Sequence, residues 1–518
     1  MINSSHKLTL VGITLVIYAY FCGGYANSVS MNAIGDLTVA MVDDHSLQID
    51  RYAGNSNDVS AREGHIYSGF GPGLSFLLVP VYLALKPVFA LVPESVMGRL
   101  DTALSNGIYA KHGRLKSTES RAKVVILIVA GTLFIAIPLG MLAAFQIVRA
   151  SRMLFPKLSS ADLTRLAFIA SFGTIVFAFA IHLTHTAVAA CLIWIAVARS
   201  LRAAPVESGQ ATLWNGLLLG FAPCVDYPAS MYACYAGAFI ISSVRRELRV
   251  RTAAVLGAGA IAASVPSWAY HLGAFGSAFT NAYRFRVREV DRGIFDIRHL
   301  GPTLPNPEKL YVAFLHPFSG LVLYFPLLLL GVVLACYFLI TERERLRRLF
   351  WALAAATMLT NIGIYSCYPL AVGPASGAIF GVRYAIYSAP FALIAVAALG
   401  PRLVQGGLAR KTLFALAIFN AVPVVAFVLY GAPVFPSRGY GALLAHVGPG
   451  NYSLTKLYDA GLFKYPFLSW LGAAVIVGLL LFWKRTAARL IGHWSAAPVL
   501  PSALASVDSP ASGIADSG

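Results

Sequence analysis

The sequence predicts an all-α polytopic membrane protein of about twelve transmembrane helices, with one more helix lying along the membrane surface in the first outside loop. Three observations carry that fold class. Of the 518 residues, 58% are hydrophobic and 12% charged, with a mean hydropathy of +0.70, more apolar surface than a soluble domain can hide. Apolar runs near or above about 18 residues recur along the chain, as helices crossing a bilayer require. The ~10-residue alternation of an outer-membrane barrel is missing.

Thirteen hydrophobic stretches can be read in order: 7–24, 73–93, 124–148, 165–181, 186–199, 211–225, 229–243, 252–271, 319–340, 349–366, 384–400, 412–430 and 466–483. The first follows a short basic start like a signal peptide, but it has the length of a full span and no clear small-x-small cleavage site, so it reads as an uncleaved helix. With Lys484-Arg485 taken as cytoplasmic, the short basic loops 149–164, 199–210, 244–251, 341–348 and 400–411 all fall inside. Loops 272–318, 367–383 and 431–465 then lie outside, with the breaks at His182–His185 and Asp226–Pro228.

Parity decides stretch 73–93. If it crosses, a cytoplasmic start at Lys7 and the remaining charges disagree; if it does not, both termini are inside and residues 25–123 form one outside region. Pro72, Pro80, Pro87 and Pro93 are expected to interrupt a straight helix, and Lys86 is costly in mid-bilayer. An interfacial helix fits better. The basic residues of 94–123 support the alternative, an ordinary second span. The organisation is therefore a transmembrane module over 1–400 with outside loop 25–123, C-terminal helices over 401–493 with outside loop 431–465, and a disordered Ala/Ser/Pro-rich tail over 494–518.

The net charge of +18 does not point to nucleic acid. Its arginines cluster at helix ends (Arg245, Arg246, Arg249, Arg251; Arg343, Arg345, Arg347, Arg348), the pattern of a positive-inside bias. The six cysteines lie in or beside apolar segments, with neither a disulfide framework nor metal spacing.

The segment from Asp50 to Tyr82 stands apart: a loop rich in Asp, His, Tyr and Gly between apolar stretches, where water-side chemistry can be done. Asp58-Val59-Ser60, Gly64-His65-Ile66-Tyr67-Ser68 and Gly71-Pro72-Gly73 follow a helix and precede an apolar stretch. Asp226-Tyr227-Pro228, Phe275-Gly276-Ser277 and Phe380-Gly381-Val382-Arg383-Tyr384 follow in order. Together these resemble the bacterial GT-C glycosyltransferases, the group that includes protein O-mannosyltransferases and lipid A aminoarabinose transferases. The resemblance covers most of residues 7–400. Three departures stand out: Asn27 replaces an Asp, Gly69-Phe70 replaces a Lys, and His182 and His185 replace an acidic residue.

The resemblance implies transfer of a sugar from a polyprenyl-phosphate carrier to a glycan, lipid or protein acceptor of the cell envelope. It implies a multi-pass protein of the plasma (inner) membrane, surrounded by membrane lipids, with its active site on the outer, periplasmic face. Such chemistry needs a base for the acceptor hydroxyl. Asp58, in the matching motif, is the first candidate, with Asp36 and Asp50 behind it; a turn-forming role for Asp58 is the alternative. His65 and Tyr67 are candidates for sugar or phosphate contact. His182 and His185, at i and i+3, share a face if helical, and Asp226 completes the acidic-Tyr-Pro step. Two histidines under-supply a zinc site, so no metal ligand is assigned, although a divalent cation stays open. For phosphate, Arg383 and Tyr384 head a span, and Arg284 and Arg286 would point one way if extended. Lipid-headgroup anchoring is the other reading of that arginine cluster. A transporter or flippase, a scaffold and an O-antigen ligase-like protein are the competing functions.

Overall fold

The computed structural model describes residues 4–22, 29–56, 58–106, 121–201, 209–287, 305, 307–315, 320–367, 383–399, 415–417, 419–421, 424 and 467–496. Helix α1 (Ser4–Tyr20) is apolar beyond Lys7 and packs against the C-terminal helix Phe467–Ala496. There the Trp483 indole N–H donates to Thr14 Oγ1 at 2.7 Å, giving a buried polar edge its partner. That last helix runs on past Lys484-Arg485 to Ala496, so the expected boundary at 493/494 falls inside it. The rest of the tail, loop 431–465 and Asn27 lie outside the described residues.

The region after α1 opens with α2 (Val29–Val39), whose end loosens into a π-turn over Ala40–Asp44. A 3₁₀ turn over Asp50–Asn55 leads into β1 (Val59–Arg62) and β2 (His65–Ser68). The strands pair antiparallel, Val59 opposite Ser68 and Arg62 opposite His65. Glu63 and Gly64 form the connecting turn with φ of 54° and 84°, the mirror-image geometry that suits right-twisted hairpins. This hairpin corrects the all-α expectation: four-residue strands between polar flanks are too short to register as periodicity in so apolar a chain.

Helix α3 (Gly73–Leu91) follows at once and is continuous through Pro80 and Pro87, correcting the expected interruption. Each proline removes its own bond to the carbonyl four residues back, and contacts of α3 with α2 and with the helix Arg121–Gly131 support the helix across those gaps. Lys86 has a partner, Asp43, at 2.9 Å, and Tyr82 donates to the same carboxylate at 2.6 Å. Helix α4 (Glu94–Asn106) ends the described part of this region.

Helices α5 (Arg121–Gly131) and α6 (Ile137–Leu154) are one rod with a π-turn over Thr132–Ala136. The Thr132 hydroxyl accepts from the Leu183 backbone N–H at 3.2 Å, pinning the later break at 181–184. The expected stretch 165–181 divides into α7 (Ser160–Phe172) and α8 (Ile175–Ala180), because Gly173 ends the first and Thr174 caps the second. Helix α9 (His185–Ser200) starts after Thr184, whose side chain accepts from Ala187 N–H. Stretch 319–340 is likewise divided, at Phe325.

Helices α10 (Gly209–Val225) and α12 (Arg249–Phe275) flank α11 (Ala229–Ser243) and form the tightest pair. A Cβ on Gly216 would meet the Leu256 carbonyl oxygen, and one on Gly220 the Ala260 carbonyl oxygen. Small residues four apart let two backbones touch, the usual route to helix association in lipid. The contacts advance together along both helices, so the pair is parallel and both C-termini lie at one end.

Among the described residues, four helices are long and apolar enough to cross a membrane: Gly73–Leu91, Ala122–Leu154, Arg246–Phe275 and Arg345–Ser366. Shorter apolar helices pack around them. The protein is thus a mostly helical membrane protein, and α3 has the length of a span.

Candidate functional site

Two polar clusters meet at the end where α10 and α12 finish. The first is built on the hairpin. Arg286 leaves the 3₁₀ turn Ala282–Phe285 after α12 and bridges to Ser60 of β1. The Ser60 hydroxyl donates to Ala282 O at 2.7 Å, and Val287 N–H donates to Val59 O at 3.1 Å, fixing the strap in place. The Arg286 guanidinium then donates to Asp58 Oδ1 at 3.2 Å and to Gly69 O at 3.0 Å. Its plane lies over the rings of Phe70 (4.6 Å) and Tyr283 (4.7 Å), which suits a weakly hydrated, planar cation. Where the resemblance expects a lysine, Gly69-Phe70 instead receives a cation from more than two hundred residues later.

The second cluster sits in the helical breaks. Asp226 follows the last residue of α10; its Oδ2 accepts from the Tyr387 hydroxyl at 2.8 Å, and its Oδ1 lies 3.9 Å from His185 Nε2. Tyr387 stacks on Tyr232 at 4.2 Å. Arg383, four residues before Tyr387, donates to the Tyr384 hydroxyl at 3.2 Å and acts electrostatically on both His185 and Asp226. The Tyr384 backbone N–H donates to the Tyr365 hydroxyl at 3.0 Å, anchoring the start of that turn.

Phe70 joins the two: its ring packs on the His185 imidazole at 4.9 Å. The turn Gly71-Pro72-Gly73 packs beside it, and a Cβ on Gly71 would meet the Cys224 carbonyl oxygen, so only glycine permits this approach. Asp58, Arg286, His185, Asp226, Arg383 and Tyr384 are therefore brought together from five separate segments.

The other candidates lie apart. Asp36, fully buried in α2, accepts from Asn55 Nδ2 at 2.9 Å, while Asn32 donates to the Asn55 carbonyl at 2.9 Å. Asp50 is exposed at the hairpin edge, where it accepts from the Ile66 N–H at 2.6 Å and meets His65 Nδ1 at 2.9 Å. Tyr67 is buried against Phe275. His182 is buried in the turn before α9 rather than on a helix, so it and His185 do not share a helical face. Arg284 and Arg286 diverge: their segment is a 3₁₀ turn, so Arg284 is exposed while Arg286 is buried, correcting the extended reading.

Phe70, Tyr283, Tyr387, Thr186 and His271 escaped the sequence reading. His271 meets the Tyr227 hydroxyl at 2.8 Å and ties the strap's root to the Asp226 break. Tyr387 alone carried a signal, its spacing of four from Arg383. Among the described residues, no three or more His, Cys, Asp or Glu converge as metal ligands.

No family model matches the sequence, and no curated protein does. Two solved structures are similar: the Archaeoglobus fulgidus oligosaccharyltransferase in its apo form, and the same organism's oligosaccharyltransferase AglB in complex with an inhibitory peptide and a dolichol-phosphate. Each superposes with a TM-score of 0.48 at 14% identity over 89% of this chain. The chain spans 60% of their length, and a likeness at this score decides nothing about activity.

Proposed function

We propose that the protein is an integral membrane glycosyltransferase that moves a sugar from a polyprenyl-phosphate carrier to a cell-envelope acceptor at the outer face of the plasma membrane. The observation that carries this reading is a buried His185–Asp226 pair with Arg383 acting on both members and Arg286 acting on His185 from the other side of Phe70. A phosphate leaving group needs cations; an attacking hydroxyl needs a carboxylate. Here both stand within a few side chains, beside a loop of the kind that meets acceptors. Arg383 holds the donor phosphate as a planar fork, with Tyr384 beside it. Arg286, released from Asp58, takes a second phosphate oxygen. Asp58 in this scheme is the counterion that keeps Arg286 poised.

Purified protein in detergent, given a panel of polyprenyl-phosphate-linked hexoses and pentoses with a membrane extract as acceptor, should release polyprenyl phosphate. Arg383→Lys should lose at least about tenfold in turnover, because a point charge replaces the fork. An active, normally folded lysine variant would return Arg383 to a headgroup anchor. The outer-face assignment has its own test. His45→Cys and Ser95→Cys are exposed positions on either side of α3. Both should react with an impermeant thiol reagent from outside intact cells; labelling of only one makes α3 a span.

A further inference from the structure

We infer that Asp226 is the general base of the transfer and that Tyr387 positions it, an inference that rests on the glycosyl-transfer reading. A base must offer a lone pair to the acceptor proton. Asp58 commits one oxygen to a buried guanidinium at 3.2 Å. Asp50 uses both oxygens, on Ile66 N–H and His65. Asp36 is sealed within α2 and bonded by Asn55. Asp226 differs from Asp58 and Asp50 in that its Oδ1 makes no hydrogen bond among the described residues, although its side chain is 0% exposed, and from Asp36 in facing His185 and the Tyr387 hydroxyl beside the arginine cluster.

What faces that carboxylate is consistent with proton transfer. His185 Nε2 stands at 3.9 Å, the Tyr387 hydroxyl bonds the other oxygen, and the Thr186 hydroxyl acts on the carboxylate without making a well-aligned hydrogen bond. Arg383, Tyr232, Tyr283 and Tyr384 are near enough to feel its charge. The end of α10 adds the negative pole of a helix dipole, which makes a carboxylate there a stronger base. His185, at the first turn of α9, presents Nε2 toward Asp226 at 3.9 Å, where it can next accept the proton.

The step balances. The acceptor oxygen bonds to the anomeric carbon while its proton passes to Asp226 Oδ1. The bond from that carbon to the phosphate oxygen breaks with its electron pair, and the carrier departs as a phosphomonoester held by Arg383 and Arg286. The acid form of Asp226 then returns its proton through His185 to water. The acceptor reaches Asp226 when the turn Gly69–Gly73, which packs on both Cys224 and His185, lifts away. The same motion takes Phe70 and the Gly69 carbonyl off Arg286, freeing its guanidinium for phosphate.

The test uses the full-length protein in detergent and the polyprenyl-phosphate sugar panel, reading release of polyprenyl phosphate. Asp226→Asn should lower kcat by about 100-fold or more while leaving the donor KM within about threefold. Asp58→Asn should chiefly raise the donor KM, because Arg286 loses its tether. Tyr387→Phe removes a bond to the ionised carboxylate, so the acid limb of its kcat profile should move to higher pH. Loss of kcat in Asp58→Asn with only a KM effect in Asp226→Asn overturns the assignment and leaves the function reading intact. If Asp226→Asn does not fold, the Tyr387→Phe profile decides, and an unmoved acid limb rejects the inference. A wild type that releases nothing from any donor removes both.

Discussion

Asp58 and Asp226 are both buried carboxylates, a few side chains apart, yet one is bonded directly by a guanidinium, while the other is bonded by a tyrosine hydroxyl, has an imidazole at 3.9 Å and feels Arg383 without a direct ion pair. The first belongs to a hairpin whose strap returns from 228 residues away. The second belongs to a break between two packed helices, with its partners on neighbouring helix starts. On the glycosyl-transfer proposal, the difference separates holding from reacting. A carboxylate matched by a cation is stable and inert. One matched by neutral donors keeps its appetite for a proton.

The largest effect should come from splitting the matched pair. Arg286→Ala leaves Asp58 buried without its guanidinium and should cost about 3–5 kcal/mol in stability. The double variant Asp58→Leu/Arg286→Met, which removes both charges, should recover more than half of that. Thermal melts in detergent read both, and equal losses would mean that the pair is not what holds the strap.

Next come the glycines that seat each region. A Cβ at Gly69 would meet the Asp58 carbonyl oxygen, and one at Gly71 the Cys224 carbonyl oxygen. Each Gly→Ala change forces backbone apart, at about 1–3 kcal/mol. Gly69→Ala should loosen the hairpin pair, seen as faster proteolysis of the strap. Gly71→Ala should instead disturb turnover, because it displaces the cover of His185. Interchanged outcomes would mean that the two regions are one.

The smallest effect dissects Asp43, which combines both ways of holding a carboxylate. Burial alone would raise it, but the Tyr82 hydroxyl and Lys86 ammonium together hold it below its ordinary value. A depressed carboxylate contributes stability above its unfolded value near about pH 4, and that contribution is lost as pH falls through the folded value. Tyr82→Phe should cost about 1 kcal/mol at neutral pH. It should also flatten the loss of stability on acidification below about pH 4, as followed by melting between about pH 3 and 7. Lys86→Met, half-exposed, should cost less.

The helices were legible because a 58% hydrophobic chain with arginine-rich turns writes its membrane character in composition. Their internal breaks were harder. Gly173-Thr174 and the π-turn at Thr132 interrupt runs whose hydropathy never drops, and it is capping and backbone geometry that divide them. In the site, Asp58, His185, Asp226, Arg286 and Arg383 could each be singled out by residue type and motif. Their meeting could not, since a bond spanning 228 residues leaves no local pattern. Phe70 and Tyr283 were invisible for a different reason. In an aromatic-rich chain, a ring that shelves an arginine reads like any ring of the core.

The glycine seam of α10 and α12 has a mechanical consequence. Parallel rods clamped at one level separate farther along in proportion to their crossing angle. Here the clamp lies at Gly216 and Gly220, while Asp226 rides the far end of one rod and the strap bearing Arg286 hangs from the other. The gap between carboxylate and guanidinium is thereby geared to helix tilt. Tilt in turn follows the thickness of the surrounding bilayer, so the lipid itself becomes a setting of the spacing between Asp226 and Arg286.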